Sequence, residues 1–269
     1  MLDFYLLIPC YNNTDGLIRS LLSVNYPKEK YKVLIVDDGS TAPVSLSEFP
    51  VELLQRQLIE IIRLPVNKGI TEALNTGLRS ILNRNDSLYT ARLDCDDTCT
   101  TDRFTKQISF LSLNPEIALL GSLCLFVDAE KKSRFVYKAA EHHDAILKQM
   151  HVKCSFIHPT VVFRNEMIKK TNLYSYNFPY AEDYAFFFEL TKQYNTHILQ
   201  EILVETQLNN NGISVKRRQE QIRSKIKIIQ HFGVIKSLTC AGLFKQCFLV
   251  LLPHKLTTQI KRLFFHIGK

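Results

Sequence analysis

Four apolar runs alternate with segments of helical spacing over the first hundred residues, and this alternation restricts the chain more than any other feature. "FYLLIPCYN" is mostly apolar and ends at Pro9, as expected of a strand buried on both faces. "TDGLIRSLLSVNY" places Leu17, Leu21 and Val24 at helical spacing, with Asn13 or Thr14 as its N-cap. "YKVLIVDDGS" is a β-branched strand ending in two acids and Gly39. "LIEIIRL" reads as a third strand, "GITEALNTGLRSIL" as a helix and "SLYTARLD" as a fourth strand. Such alternation predicts an α/β fold with a Rossmann-like, mainly parallel central sheet flanked by helices. Ligands of such sheets sit beyond the carboxyl ends of the strands. Pro9, Tyr11, Asp37, Asp38, Asn67, Lys68, Gly69 and the acids of residues 94–97 all lie at or just past strand ends, so they are expected to line one crevice.

After residue 105 the order changes. "KQISFLSLN" reads as a helix, "IALLGSLCLFVDAE" and "SRFVYKA" as strands, "HDAILKQMHV" as a helix and "PTVVFR" as a short strand. "YAEDYAFFFELTKQY" opens a helix with acids in its first turn, where the helix dipole favours them. Residues 1–212 are expected to form one domain, with a nucleotide half (1–100) and an acceptor half (101–212). Residues 213–269 are expected to form a basic helical C-terminal extension.

The three acids Asp94, Asp96 and Asp97 crowd the end of the fourth strand. Asp94 and Asp96 alternate with Cys95, so on an extended segment they face one side. Two carboxylates at one point call for a cation, and oxygen donors suit magnesium or manganese with positions left for phosphate oxygens. The competing reading is local: Asp97 or Thr98 caps the next helix. Cys95 and Cys99 flank the acids but lack the further Cys or His ligands of a zinc site.

Composition narrows the class. The chain of 269 residues is 46% hydrophobic and 22% charged, an ordinary globular balance. Seven cysteines with no CxxC pair fit a reduced, cytoplasmic setting. The start "MLDFYLLIPCYN" lacks the pattern of a signal peptide, and no stretch of about 18 apolar residues predicts a transmembrane helix. Residues 216–269 carry twelve Lys and Arg against the single Glu220, a charge of +11 in a chain totalling +8, so the first 215 residues sum to −3. Basic charge interleaved with apolar residues in "VIKSLTCAGLFKQCFLVLLP" and "KLTTQIKRLFFHIG" suits a helix on an anionic membrane surface, or else a helical lid. Nucleic acid is not the expected partner, because the charge is confined to this tail and no RNA-type aromatic motif accompanies it.

Taken in order, "IPCYN", "VLIVDDGST", "NKGITEALNTGL", "ARLDCDD", "HPTVVFR" and "AEDY" resemble glycosyltransferase family 2, the inverting nucleotide-sugar enzymes with the GT-A fold; the match spans roughly residues 4–190. The resemblance implies that Asp38 accepts the N3–H of a uracil ring, with Asp37 or Pro9 and Tyr11 framing the nucleoside. A turn-forming role with Gly39 and Ser40 is expected of one acid of the pair at most. It also implies that Asp94 contacts ribose or metal, that Asp96 holds a divalent cation (Mn2+ or Mg2+) on the diphosphate, and that Asp97 is a reserve ligand. Lys68 reaches toward the nucleotide. Asp183 takes the general-base position with Glu182 beside it, and His158 lies near the acceptor or leaving group; capping of the helix by the two acids, or a buried structural histidine, are the plainer alternatives. Arg164 faces phosphate or pairs with Glu166.

One departure is visible. A QxxRW-like segment is replaced by "LNNNGISVKRRQ", which passes any leaving-group role to Lys216, Arg217 or Arg218 and disfavours processive synthases. The implied activity is transfer of a hexose or N-acetylhexosamine from a UDP-sugar to a lipid-linked glycan of lipopolysaccharide, O-antigen or capsule. It would take place at the inner face of the cytoplasmic membrane. Transfer to a polyprenyl phosphate, or a catalytically inactive glycan-binding protein, are the rival readings.

Overall fold

The computed structural model describes residues 1–128, 134–208 and 216–251. In chain order the elements are β1 (Leu2–Cys10), α1 (Thr14–Leu22), β2 (Tyr31–Asp37), α2 (Val51–Arg56), β3 (Ile59–Arg63), α3 (Ile70–Arg84), β4 (Ser87–Arg92) and β5 (Thr98–Cys99). There follow α4 (Arg103–Leu113), β6 (Ile117–Val127), β7 (Arg134–Tyr137), α5 (His143–Met150), β8 (Val162–Arg164), α6 (Asn165–Ile168), α7 (Glu182–Gln193), β9 (Asn195–Gln207), α8 (Arg218–Phe232) and α9 (Lys236–Leu251).

The strands form one sheet in the order β3-β2-β1-β4-β8-β6-β9-β5, with β7 added beside β6. Strands β3, β2, β1 and β4 are mutually parallel. β8 runs antiparallel between β4 and β6, which returns β6 and β9 to the direction of β4. The chain winds outward from β1 to β3 and then crosses back to β4 on the far side of β1. That reversal opens a crevice between the loops after β1 and β4, the usual ligand position in open α/β sheets.

β1 lies at the centre, and its side chains from Phe4 to Ile8 are fully buried. Phe4, Leu6 and Ile8 pack with Leu17 and Leu21 of α1 on one face. Tyr5 and Leu7 pack with Leu74 and Leu78 of α3 on the other. Burial on both faces explains why β1 reads as a continuous apolar run, and each such side chain contributes roughly 2 kcal/mol. α3 approaches the sheet closely at Gly77, where an added Cβ would come within 2.3 Å of Leu7 Cδ1. Of the two N-caps open for α1, Asn13 is the one used: its side chain accepts from Gly16 N–H at 3.1 Å.

The short elements α2 and β5 and the long strand β9 were not expected from the sequence, and Arg164 has partners the sequence did not show. Strand β9 is 13 residues long, and no strand was expected there. It follows α7 without a Gly or Pro stop, and its pairing with β6 slips between Leu199 and Ile202, which breaks the two-residue alternation that marks a strand. Arg164 pairs with Glu166 at the long distance of 4.0 Å, one of the two partners expected for it, and its main role is a further one. Its buried guanidinium donates to the carbonyls of Leu111 (2.8 Å), Ile117 and Asn114, which ties β8 to the C-terminal end of α4 and the start of β6.

Residues 216–251 are helical apart from a break around Gly233. The break is pinned by His151, whose Nε2 accepts from Val234 N–H and Ile235 N–H at 3.1 Å each while its Nδ1–H donates to Leu147 O. Among the described residues no helix is long and apolar enough to cross a membrane. The segment "KLTTQIKRLFFHIG" and residues 209–215 lie outside the described residues.

Candidate active site

The loops after β1 and β2 are knitted together by backbone N–H groups seeking acceptors. Asp37 is fully buried and accepts from Ser40 N–H (2.9 Å) and Val44 N–H (3.1 Å), with Arg63 Nε 4.0 Å away. Gly39 turns the chain at φ +70°, and an added Cβ would strike the Val66 carbonyl carbon at 2.3 Å. Asp38 is also buried, and its two oxygens accept from Lys68 N–H (2.8 Å) and Gly69 N–H (2.9 Å). Both acids thus organise backbone, where the sequence reading allowed this for one. Each Asp38 oxygen retains a lone-pair site for a further donor. Asn67 and the Lys68 side chain are exposed, so at Lys68 the backbone amide is the group that meets Asp38. Tyr11 is exposed and Pro9 buried. Asn12, in the left-handed region at φ +50°, bridges the loops: its N–H donates to Ser40 Oγ and its Oδ1 accepts from Thr41 N–H, each at 2.8 Å.

The acids after β4 do not lie on an extended segment. β4 ends at Arg92, Cys95 and Asp96 form a turn, and Asp96 adopts φ +75°. Each carboxylate is held differently. Asp94 pairs with the buried Arg92 guanidinium. Asp96 pairs with Arg19 and accepts from Asn13 Nδ2 at 2.7 Å, so α1 delivers both of its partners, Asn13 from its N-cap and Arg19 from its last turn. Gly16 makes this approach possible, since a Cβ there would meet Asp96 Oδ1 at 2.6 Å. Asp97 turns inward to Thr206 of β9, and burial, followed by the Asp94 charge, raises its pKa well above the usual carboxylate range. Cys95 donates to Pro9 O at 3.4 Å and Cys99 contacts Ser23.

Arg92 carries the network toward α7. Its Nε–H donates to His158 Nε2 at 3.3 Å, and the Tyr174 hydroxyl meets the same nitrogen at 2.8 Å. Burial, then the Arg92 charge, pushes the His158 pKa down to about 4, so the ring is neutral with its proton on Nδ1. Asn75 of α3 holds the Tyr174 backbone from both sides, accepting from its N–H at 3.0 Å and donating to its carbonyl at 2.8 Å. Glu182 and Asp183 open α7. Glu182 is buried, its Oε2 has no hydrogen-bond partner, and burial followed by the Asp183 charge lifts its pKa to about 7. Asp183 is half-buried, with Oδ1 accepting from Tyr184 N–H at 2.7 Å.

Asp94 acts electrostatically on both His158 and Glu182, so the acids after β4 and those opening α7 border one space. Asp94 and Asp96 offer only oxygen donors, are partly exposed and keep lone pairs beyond their present partners; that donor set fits a hard divalent cation. Arg19, Asn12, Asn75, Arg92 and Tyr174 belong to the hydrogen-bond network of this candidate site and were not singled out by strand-end reasoning. The "YNN" after β1 and the Arg of "ARLD" carried the available signal.

The fold defines an α/β class with a mostly parallel sheet, and comparison with known proteins makes the assignment specific. Residues 5–173 match the glycosyl transferase family 2 model, and the chain belongs to that family. It is 27% identical over 233 residues to the amylovoran biosynthesis glycosyltransferase AmsE of Erwinia amylovora, covering 84% of each chain. With an Escherichia coli UDP-Gal:alpha-D-GlcNAc-diphosphoundecaprenol beta-1,3-galactosyltransferase it shares 26% identity, covering 75% of this chain and 71% of that one. The fold is similar to that of S. aureus TarS 1–349, with a TM-score of 0.66, 16% identity and coverage of 92% of this chain and 72% of that one. TarS has also been crystallised with UDP-GlcNAc. The GT-A fold expected from the motifs is therefore the fold of this protein, and the protein is a glycosyltransferase with relatives in surface-polysaccharide biosynthesis.

The raised Glu182 pKa gives a signed expectation. The folded protein binds this proton more tightly than the unfolded chain, whose value is near 4.5. The resulting stability is present at acid pH and is lost as pH climbs from about 4.5 through about 7. Glu182→Gln keeps the shape without the charge. In urea unfolding it should gain on the wild type by on the order of 3 kcal/mol between pH 4.5 and pH 8. A difference that stays constant with pH would place the ionised carboxylate in a well-solvated site instead.

Proposed function

We propose that this protein transfers a hexose or N-acetylhexosamine from a UDP-sugar, with inversion and with a divalent cation, to a lipid-linked surface-glycan precursor. The observation that supports this most is the link from Asp94 through Arg92 and His158 to Tyr174, beside the first turn of α7, at the carboxyl edge of the sheet. Donor-side acids and acceptor-side acids would then border the same bond.

In this reading Asp38 accepts the N3–H of uracil, a proton that cytosine lacks. Asp94 and Asp96 would hold magnesium or manganese, which when bound neutralises the charge growing on the leaving diphosphate. Arg19 is exposed and gives up Asp96 at small cost, because exposed ion pairs contribute about 1 kcal/mol or less. Asp183 takes the proton from the acceptor hydroxyl, whose oxygen attacks the anomeric carbon opposite the departing UDP. A single displacement inverts the centre and needs no second carboxylate as nucleophile. Glu182, protonated near neutral pH, keeps its neighbourhood from carrying two adjacent negative charges. His158 has its Nε2 engaged by two donors and serves to position Arg92 and Tyr174, with Nδ1–H left to donate.

The C-terminal extension supports the lipid-linked acceptor. α9 exposes Cys240, Ala241, Phe244, Cys247 and Phe248 along one face, with Phe244 77% and Phe248 53% accessible, in a segment of strong positive charge. Apolar side chains among cations suit the surface of an anionic bilayer.

Asp183→Asn should lower sugar transfer roughly 100-fold while UDP affinity stays near that of the wild type. Normal turnover in this variant would move the base to Glu182. For the membrane reading, Phe244→Ser combined with Phe248→Ser should reduce co-sedimentation with anionic vesicles several-fold, and salt should weaken wild-type binding. Equal binding of wild type and variant would return α9 to the role of a lid.

A further inference from the structure

We propose that Glu141, His142 and His197 form a second metal site, one for a divalent ion of the zinc class, separate from the carboxylates of the crevice. The proposal does not depend on the glycosyl-transfer reading. Register places the site: His197 of β9 lies level with Leu120 of β6, Val162 of β8 and Ala91 of β4. It therefore stands three strands from β4, roughly 14 Å across the sheet, and below the loop that carries Asp94.

The backbone fixes the two segments that supply the ligands. Ile198 N–H donates to Glu141 O at 2.9 Å, and His142 and His197 face each other in an isolated antiparallel bridge. The His197 ring is fixed as well. It stacks on Phe110 at 4.6 Å and 27°, its side chain is 12% exposed, and the His142 ring lies 5.3 Å away. Between the imidazoles sits one carboxylate: Glu141 Oε1 is 3.7 Å from His197 Nε2, and Glu141 Oε2 is 3.9 Å from His142 Nε2. A ligand atom from each of the three residues lies within 4.8 Å of the others, the one such group among the described residues.

These separations are too long for hydrogen bonds, and among the described residues no hydrogen bond takes up the three donor groups. They are within reach of what an ion needs. Ligands at about 2.0–2.1 Å in a tetrahedron stand roughly 3.3 Å apart, so closure from separations of up to 4.8 Å asks for shifts of roughly 0.5–1.5 Å, taken up by side chains that are exposed at Glu141 and His142. Solvent access leaves the fourth position to water. Two imidazoles and a carboxylate, with no thiolate, select zinc, nickel or copper over magnesium. The bound ion would staple the approach to α5 onto β9. Because His151 at the end of α5 holds the break between α8 and α9, the staple would also steady the C-terminal helices.

The test uses the full chain, stripped with chelator and titrated with Zn2+ in excess Mg2+, which occupies oxygen sites but not imidazoles. One equivalent should bind, with a melting temperature raised by roughly 5 °C at saturation. Cobalt in place of zinc should give tetrahedral d–d bands without the charge-transfer band of a thiolate. His142→Ala removes an exposed ligand and should weaken binding about 100-fold, abolishing the thermal shift while leaving the metal-free melting temperature unchanged. Glu141→Gln should do the same. Zinc that binds His142→Ala as it binds the wild type, or a thiolate band with cobalt, would overturn the proposal, as would no binding at all, which would leave the cluster a plain ion pair.

Discussion

A single buried cation sets the geometry of the crevice. The Arg92 side chain is fully buried, and its guanidinium donates to the carbonyls of Leu7 and Leu93, to the Asp94 carboxylate and to His158 Nε2. Leaving such a charge unpaired inside the protein would cost several kcal/mol. Meeting its requirements therefore fixes β1, the loop after β4 and the turn at His158 relative to one another. Tyr174 follows through its contact with His158, and Asn75 anchors Tyr174 to α3. Arg103 extends the network by donating to the Arg92 carbonyl at 2.9 Å. The loop after β4 and the segment leading to α7 are thus positioned by the same guanidinium.

The same logic explains how five acids coexist around one space. Asp94 is paired with Arg92, Asp96 with Arg19 and Asn13, and Asp97 is withdrawn into the sheet where burial favours its protonated form. Glu182, also buried, holds a proton up to about pH 7 beside the half-exposed Asp183. The carboxylates nearest solvent are Asp94, Asp96 and Asp183. Those are the groups a cation and an acceptor hydroxyl would reach.

Much of this was legible in the sequence. The order of the longer strands and helices through β8 followed from apolar runs and helical spacing, the short α2 and β5 excepted, and both acids of "DDGS" and the pair opening α7 were picked out by position. What escaped notice did so for physical reasons. β9 hides behind a bulge that shifts its alternation and a helix with no stop signal. The extended run expected over residues 94–96 is a turn, because the left-handed conformation of Asp96 lets α1 reach it through Arg19 and Asn13. Arg92 looks like an ordinary basic residue at a strand end. Its burial depends on Leu7, Asp94 and His158 meeting in space, and local spacing carries no trace of that. Asp38 shows the reverse limit: a residue chosen for a ligand also satisfies backbone amides of the next loop.

The central claim is that the carboxylates after β4 and the loop after β2 form one site for a nucleoside diphosphate and a cation. Titration of UDP by calorimetry, with and without Mn2+, tests it most directly. The account predicts affinity at least tenfold higher with Mn2+, about 1.4 kcal/mol, with the gain lost in Asp96→Asn and metal-free binding preserved. Equal affinity in the presence and absence of Mn2+, or a metal-dependent gain that survives Asp96→Asn, would contradict it.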